Sequence, residues 1–129
     1  MSEHPVPAQS TGLAPNVAGA LAYLLGPLTG VVFFLIEKES RFVRFHAAQS
    51  IVVGIAMVVA SIVLSVLGAV LAVVPVIGWL IGLLLSMAFG FGSFVLWIVL
   101  MFKAFQGEEW EVPLVGAQAH RLLAAPAAR

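Results

Sequence analysis

Residues 45–102 read FHAAQSIVVGIAMVVASIVLSVLGAVLAVVPVIGWLIGLLLSMAFGFGSFVLWIVLMF, 58 consecutive positions without Asp, Glu, Lys or Arg. A helix crosses the roughly 30 Å hydrocarbon layer with about 20 apolar residues, so this run is too long for one span and sufficient for two. The break falls at Val74-Pro75-Val76-Ile77-Gly78, where proline cannot continue the preceding helix. Upstream, Val17–Ile36 is a further uncharged run of 20, with Asn16 placed to cap it. The expectation is an all-α integral membrane bundle of three transmembrane helices. Its spans run over about 17–36, 47–73 and 77–105 within a membrane domain covering 16–106. A disordered tail over 1–15 precedes it, and a cytoplasmic interfacial tail over 107–129 follows, its Ala117–Leu123 segment forming a short amphipathic helix.

Composition supports lipid as the solvent. The 129 residues are 62% hydrophobic and 9% charged, against about 25% charged in soluble domains. Zero formal net charge gives no sign of nucleic-acid binding, and the absence of cysteine removes disulfide and thiol chemistry. The first residues lack the basic and apolar regions of a signal peptide. Lys38, Arg41 and Arg44 lie between spans one and two; Lys103, Arg121 and Arg129 follow span three. Three spans place all six bases on one side, and the positive-inside rule then sets the N-terminus outside and the C-terminus in the cytoplasm of a multi-pass cell-membrane protein.

Membrane helices associate where small residues let backbones approach. Gly54, Ser61, Ser65 and Gly68 share a face of span two with Ala47, Ser50 and Ala72, and Gly78, Gly82, Ser86 and Gly90 recur every four residues on span three. These faces are read as helix-packing surfaces; the other use that fits them is to line a narrow path. Gly26-Pro27 sits midway in span one, where Pro27 frees the carbonyl of Tyr23 and bends the helix. Trp79 and Trp97 are expected at the two headgroup levels.

Scarce polarity concentrates in one block. Ser40 can cap a helix that begins at Arg41. Arg41 and Arg44 present bases at the membrane surface beside Phe42 and Phe45, while His46 and Gln49 form a polar pair one turn inside. This block is the candidate functional or docking site. The expected partner is the tail, with Glu108, Glu109 and Glu111 facing Arg41 and Arg44, and Trp110 facing the two phenylalanines. The competing use of the bases is to hold lipid phosphates. His4, His46 and His120 have no metal-ligand spacing, the intramembrane serines have no base nearby in sequence, and no glycine-rich phosphate loop occurs. No catalytic, cofactor-binding or metal residue is assigned, no cofactor is expected, and the chain is read as not an enzyme.

Several blocks carry a family resemblance: Asn16–Gly26, Glu37-Lys38, Arg41-Phe-Val-Arg-Phe-His-Ala-Ala-Gln-Ser50, Lys103–Glu108 and Pro113–Gly116. Over roughly Asn16–Leu122 the chain resembles the largely uncharacterised bacterial and archaeal membrane proteins grouped with the Tic-twenty-like import component of the chloroplast inner envelope. For prokaryotic members that resemblance implies a membrane protein without an established activity; for the chloroplast relatives, a protein-import channel. The functional expectation is a non-enzymatic scaffold or accessory component of a larger membrane complex, related to protein translocation through the resemblance alone. The alternative is a narrow channel or small-solute transporter formed by oligomerisation. Expected partners are the lipid bilayer and either further copies of the chain or another membrane protein, with no nucleic acid.

Overall fold

The computed structural model describes residues 11–124; the tails expected over 1–15 and 107–129 therefore lie partly outside the described residues. Five helices occur among them and no strand: α1 (Pro15–Leu21), α2 (Pro27–Ile36), α3 (Arg41–Leu71), α4 (Ile77–Phe105) and α5 (Gly116–Ala124). Both α3 and α4 are long and apolar enough to cross a membrane. Their 31 and 29 residues rise about 46 and 43 Å. Ser40 caps α3, its side chain accepting from the Val43 N–H at 3.2 Å. Asn16 does not cap: α1 begins at Pro15, and the Asn16 amide instead donates to the Phe105 carbonyl at 3.1 Å.

The single kinked span expected over 17–36 is not formed. Helices α1 and α2 have 7 and 10 residues, rising about 10 and 15 Å, and neither covers the roughly 30 Å hydrocarbon layer. A proline kink tilts a helix, but here the chain reverses. Gly26 adopts φ 63°, ψ −134°, a conformation that a residue with a Cβ rarely takes. Contacts trace the reversal. Gly19 lies against Phe42 and His46 of α3 and Ala104 of α4, Pro27 lies against Gly54, and Gly30 is back against Ala47 and Ser50. Arg44 Nη1 then donates to the carbonyls of Phe34 and Glu37, both at 2.8 Å. The chain thus climbs along α3 as far as Gly54 and descends again. Asn16 and Glu37 sit at one end of the molecule, with the start of α3 and the end of α4.

The opposite end is a bare hairpin. Val76, at φ 64° and ψ −67°, forms a tight γ-turn closed by the Ile77 N–H on the Pro75 carbonyl at 2.8 Å. Gly78 is required beside it, because a Cβ there would collide with the carbonyl of Leu71. From Ile55 to Val99, Gly78 is the only buried residue. Within the chain, the small residues expected to form packing faces divide. Gly54 and Gly78 are close-approach positions, but a Cβ at Gly68, Gly82 or Gly90 would meet nothing within 4 Å, and Ser86 is exposed. Ser61 and Ser65 donate to carbonyls of their own helix, each at 2.8 Å. The reason is the reversal: α1 and α2 turn back at the level of Gly54, so among the described residues no third helix covers the rest of the hairpin.

Gly54→Ala should destabilise the protein by about 1–3 kcal/mol, because the new methyl would press on the Pro27 ring. Gly68→Ala should be neutral, or stabilise by up to about 1 kcal/mol through helix propensity. Chemical unfolding of both variants in detergent checks the opposite signs.

Candidate functional site

Reversing a chain frees backbone groups that a continuous helix would satisfy, and at membrane depth such backbone is tolerated only where protein buries it. The residues around Gly26 are met by side chains. Trp97 Nε1 donates at 2.7 Å to the Tyr23 carbonyl, which lacks its usual helical donor at Pro27 and also accepts from the Gly26 N–H at 3.1 Å. Ser50 Oγ donates to the Gly26 carbonyl at 2.8 Å. Thr29 Oγ1 donates to the Ala22 carbonyl at 3.0 Å and accepts from the Leu25 N–H at 3.1 Å. Trp97 is therefore a clamp on the reversal rather than a headgroup anchor. Trp79 bonds the Ala72 carbonyl across the far turn at 3.3 Å.

Just below the reversal lies a buried polar chain of Tyr23, Gln49 and His46, which are 2%, 0% and 1% exposed. Its bond directions follow from the atoms that have only one role. His46 Nε2 faces the Glu108 carbonyl at 2.8 Å, so it must carry a hydrogen and donate. Gln49 Nε2 donates to the Trp110 carbonyl at 2.9 Å and to the Tyr23 hydroxyl oxygen at 2.8 Å. The Tyr23 hydroxyl then donates to His46 Nδ1 at 2.6 Å, which fixes the neutral imidazole with its hydrogen on Nε2. Finally, Gln49 Oε1 accepts from the Val112 N–H at 2.9 Å. Every polar atom of the three side chains is engaged. The arrangement holds three tail residues, Glu108, Trp110 and Val112, by their backbone.

The rest of the block divides between two tasks. Phe45 is fully buried with Ala48 and Ala119 of α5, its ring 4.8 Å from that of His120. Phe42 meets His46 edge-on at 4.6 Å. These rings are interior packing, not lipid anchors. Arg44 satisfies the last carbonyls of α2 and stacks on Phe34 at 4.3 Å, and Arg41 is exposed. The charge pairing expected between tail acids and these arginines is not formed. Glu108 pairs with Lys103 at 3.1 Å and Glu111 with His120. Trp110 packs with the cluster of Ala20, Tyr23, Leu100 and Ala104 instead of Phe42 and Phe45. Backbone groups can enter a desolvated site at lower cost than carboxylates, which accounts for the exchange.

Sequence reading missed Tyr23, Ser50 and Trp97 as members of the site. Its one available signal was the Tyr23 carbonyl left without its usual helical donor by Pro27, a position open to a further donor. Where the reversal turns, an apolar cavity of about 290 Å³ opens between α3 and α4, bounded by Gly26, Pro27, Gly54, Met57, Ser93 and Trp97. Among the described residues no group of three or more His, Cys, Asp or Glu side chains is placed to hold a metal ion.

Residues 10–118 match the magnetosome magnetite crystal formation protein family. The chain is 44% identical over 107 residues to a UPF0132 membrane protein of Methanocaldococcus jannaschii, covering 83% of this chain and 86% of the relative. It is also 44% identical over 101 residues to a UPF0132 membrane protein of Archaeoglobus fulgidus, covering 78% and 87%. A second Methanocaldococcus jannaschii relative of the same name is 36% identical over 110 residues, covering 85% and 71%. No solved structure matches. The chain belongs to the magnetosome magnetite crystal formation protein family and, by its relatives' names and its two long apolar helices, is a membrane protein. The resemblance to the Tic-twenty-like family is thereby overturned: all the blocks that carried it lie within residues 10–118, which match a different family, and neither the family match nor the relatives support translocation.

Tyr23→Phe removes the central hydroxyl and leaves a buried Gln49 N–H and His46 Nδ1 without partners, at a cost of about 1–3 kcal/mol. Limited proteolysis at Arg121 should accelerate in Tyr23→Phe and in Gln49→Leu as the tail loosens. It should stay at the wild-type rate in Ser61→Ala, whose hydroxyl bonds only its own helix.

Proposed function

We propose that this member of the magnetosome magnetite crystal formation protein family is a non-enzymatic, multi-pass structural component of the cell membrane. In this reading α3 and α4 cross the bilayer, while α1 and α2 enter it and return to the side they came from. The observation that carries the reading is the reversal at Gly26, whose carbonyl and that of Tyr23 are bonded by Ser50 and Trp97 of the two long helices. Both carbonyls also accept from the local Gly26 and Gly30 N–H groups, and the added side-chain donors fill second acceptor positions that a surface loop would leave to water.

Lys38, Arg41, Arg44, Lys103 and Arg121 all belong to the compact end, so the positive-inside rule assigns that end to the cytoplasm. Asn16 lies at the same end, and the N-terminal side then becomes cytoplasmic too, in place of the outside location expected from three spans. The crystal formation in the family's description names a process; the residues of this chain support a membrane-organising share in it. The buried polar chain is consumed in holding the tail, which favours a structural role over catalysis. Outside the compact end, Gly68, Gly82 and Gly90 leave open faces at which small residues permit close approach. A further copy or another membrane protein seated there would make the chain a scaffold or accessory part of a larger complex.

The protein contains no cysteine, so single cysteines report cleanly. Thr11→Cys and Glu109→Cys should react with an impermeant thiol reagent from the same side of sealed vesicles, and Val74→Cys from the other. Labelling of Thr11→Cys and Glu109→Cys from opposite sides would restore the three-span topology and remove the re-entrant pair.

A further inference from the structure

The block that opens α3 also bounds a polar pocket that the tail does not fill. Lys38, Glu39, Arg41, Arg44 and Leu123 enclose about 220 Å³ where the loop after α2, the first turn of α3 and the last turn of α5 meet. Three of its five walls are cationic and one is acidic. Arg41 is exposed and has no ion pair among the described residues. Arg44 commits Nη1 to two carbonyls, which fixes its guanidinium against Phe34 at the pocket wall.

An apolar stripe lies on the helix that precedes this pocket in sequence. Leu28, Val31, Val32, Leu35 and Ile36 are all exposed on α2, at spacings that place them on one helical face. The stripe ends at Ile36, two residues before Lys38. Because α2 turns back at Gly26, its 10 residues rise about 15 Å, half of the roughly 30 Å layer. A cationic cup two residues beyond the end of an apolar strip one leaflet deep matches the two parts of a single phospholipid.

We propose that this pocket binds the phosphate-bearing headgroup of an anionic phospholipid, with an acyl chain laid along the exposed face of α2. Basic pockets at the cytoplasmic surface bind anionic headgroups, and each base near the surface strengthens attraction about fivefold. The excess of cations over Glu39 selects against a zwitterionic headgroup, which would bring its own ammonium to the bases. A soluble phosphate compound shares the headgroup chemistry but makes no use of the apolar strip. The inference rests on the membrane setting proposed for α2. If lipid selectivity fails while Thr11→Cys and Glu109→Cys still label from one side, the topology stands and this site alone falls.

The test is lipid retention by the full chain purified in detergent, titrated with phosphatidylglycerol or phosphatidylcholine and read by native mass spectrometry. Phosphatidylglycerol should be retained in preference. Arg41→Gln should weaken its retention about fivefold, Arg41→Lys should preserve it, and Lys103→Gln, outside the pocket, should leave it unchanged. Inorganic phosphate at the same concentration should not displace the lipid. Equal retention of the two lipids, or an Arg41→Gln variant indistinguishable from wild type, would overturn the site. Displacement by inorganic phosphate would overturn the lipid and leave a soluble phosphate ligand in its place.

Discussion

The fold is organised around the reversal at Gly26, where the Tyr23 and Gly26 carbonyls each accept a local backbone N–H and a side-chain donor from a long helix. Pro27 supplies no N–H and Gly26 supplies the backbone angles; the local donors are the Gly26 and Gly30 N–H groups, and other elements bring each carbonyl a second donor. Ser50 does so from α3 and Trp97 from α4, which fixes the level at which both long helices must pass. Gly54 and Gly30 then lack side chains because the returning segment lies directly on α3. Tyr23, whose carbonyl is held by Trp97, directs its hydroxyl into the chain that binds the tail. One turn thus couples the N-terminal pair, the two long helices and the residues after α4.

Much of the architecture was legible, and the part that was not has a definite physical cause. Helices α3 and α4 follow from an uncharged run too long for one span, and their boundary follows from Pro75. The reversal of the first segment was invisible to the same arithmetic. Twenty apolar residues satisfy a length criterion whether they cross the bilayer or fold back within it, and the distinction rests on the φ of Gly26. The charge rule could not correct the error, because no Lys or Arg precedes Lys38. All six bases share a side equally well with two crossings or three. Only Gly26-Pro27 marked the place, and a kink was the smaller deformation consistent with it.

The polar block shows a similar limit. Periodicity set His46 and Gln49 near each other, and their position just after Arg41 and Arg44 put them within reach of the tail. Charge alone suggested that Glu108, Glu109 and Glu111 would meet Arg41 and Arg44. Desolvation decides otherwise: the carboxylates remain at the exposed edge, and uncharged backbone groups of Glu108, Trp110 and Val112 enter the buried site. Small-residue spacing was a sound sign of close approach at Gly54 and Gly78 but not at Gly68, Gly82 or Gly90. Those positions lie beyond the level that the returning segment reaches, where the described residues supply no further helix.

The central claim is that the segment before α3 begins and ends on one side of the membrane. Its most direct measurement is a pair of spin-label distances in the reconstituted protein, Leu13 to Glu109 and Leu13 to Val74. The account predicts that the first distance is short and the second exceeds it by about the 30 Å thickness of the hydrocarbon layer. The reverse order, with Leu13 near Val74 and far from Glu109, would contradict it.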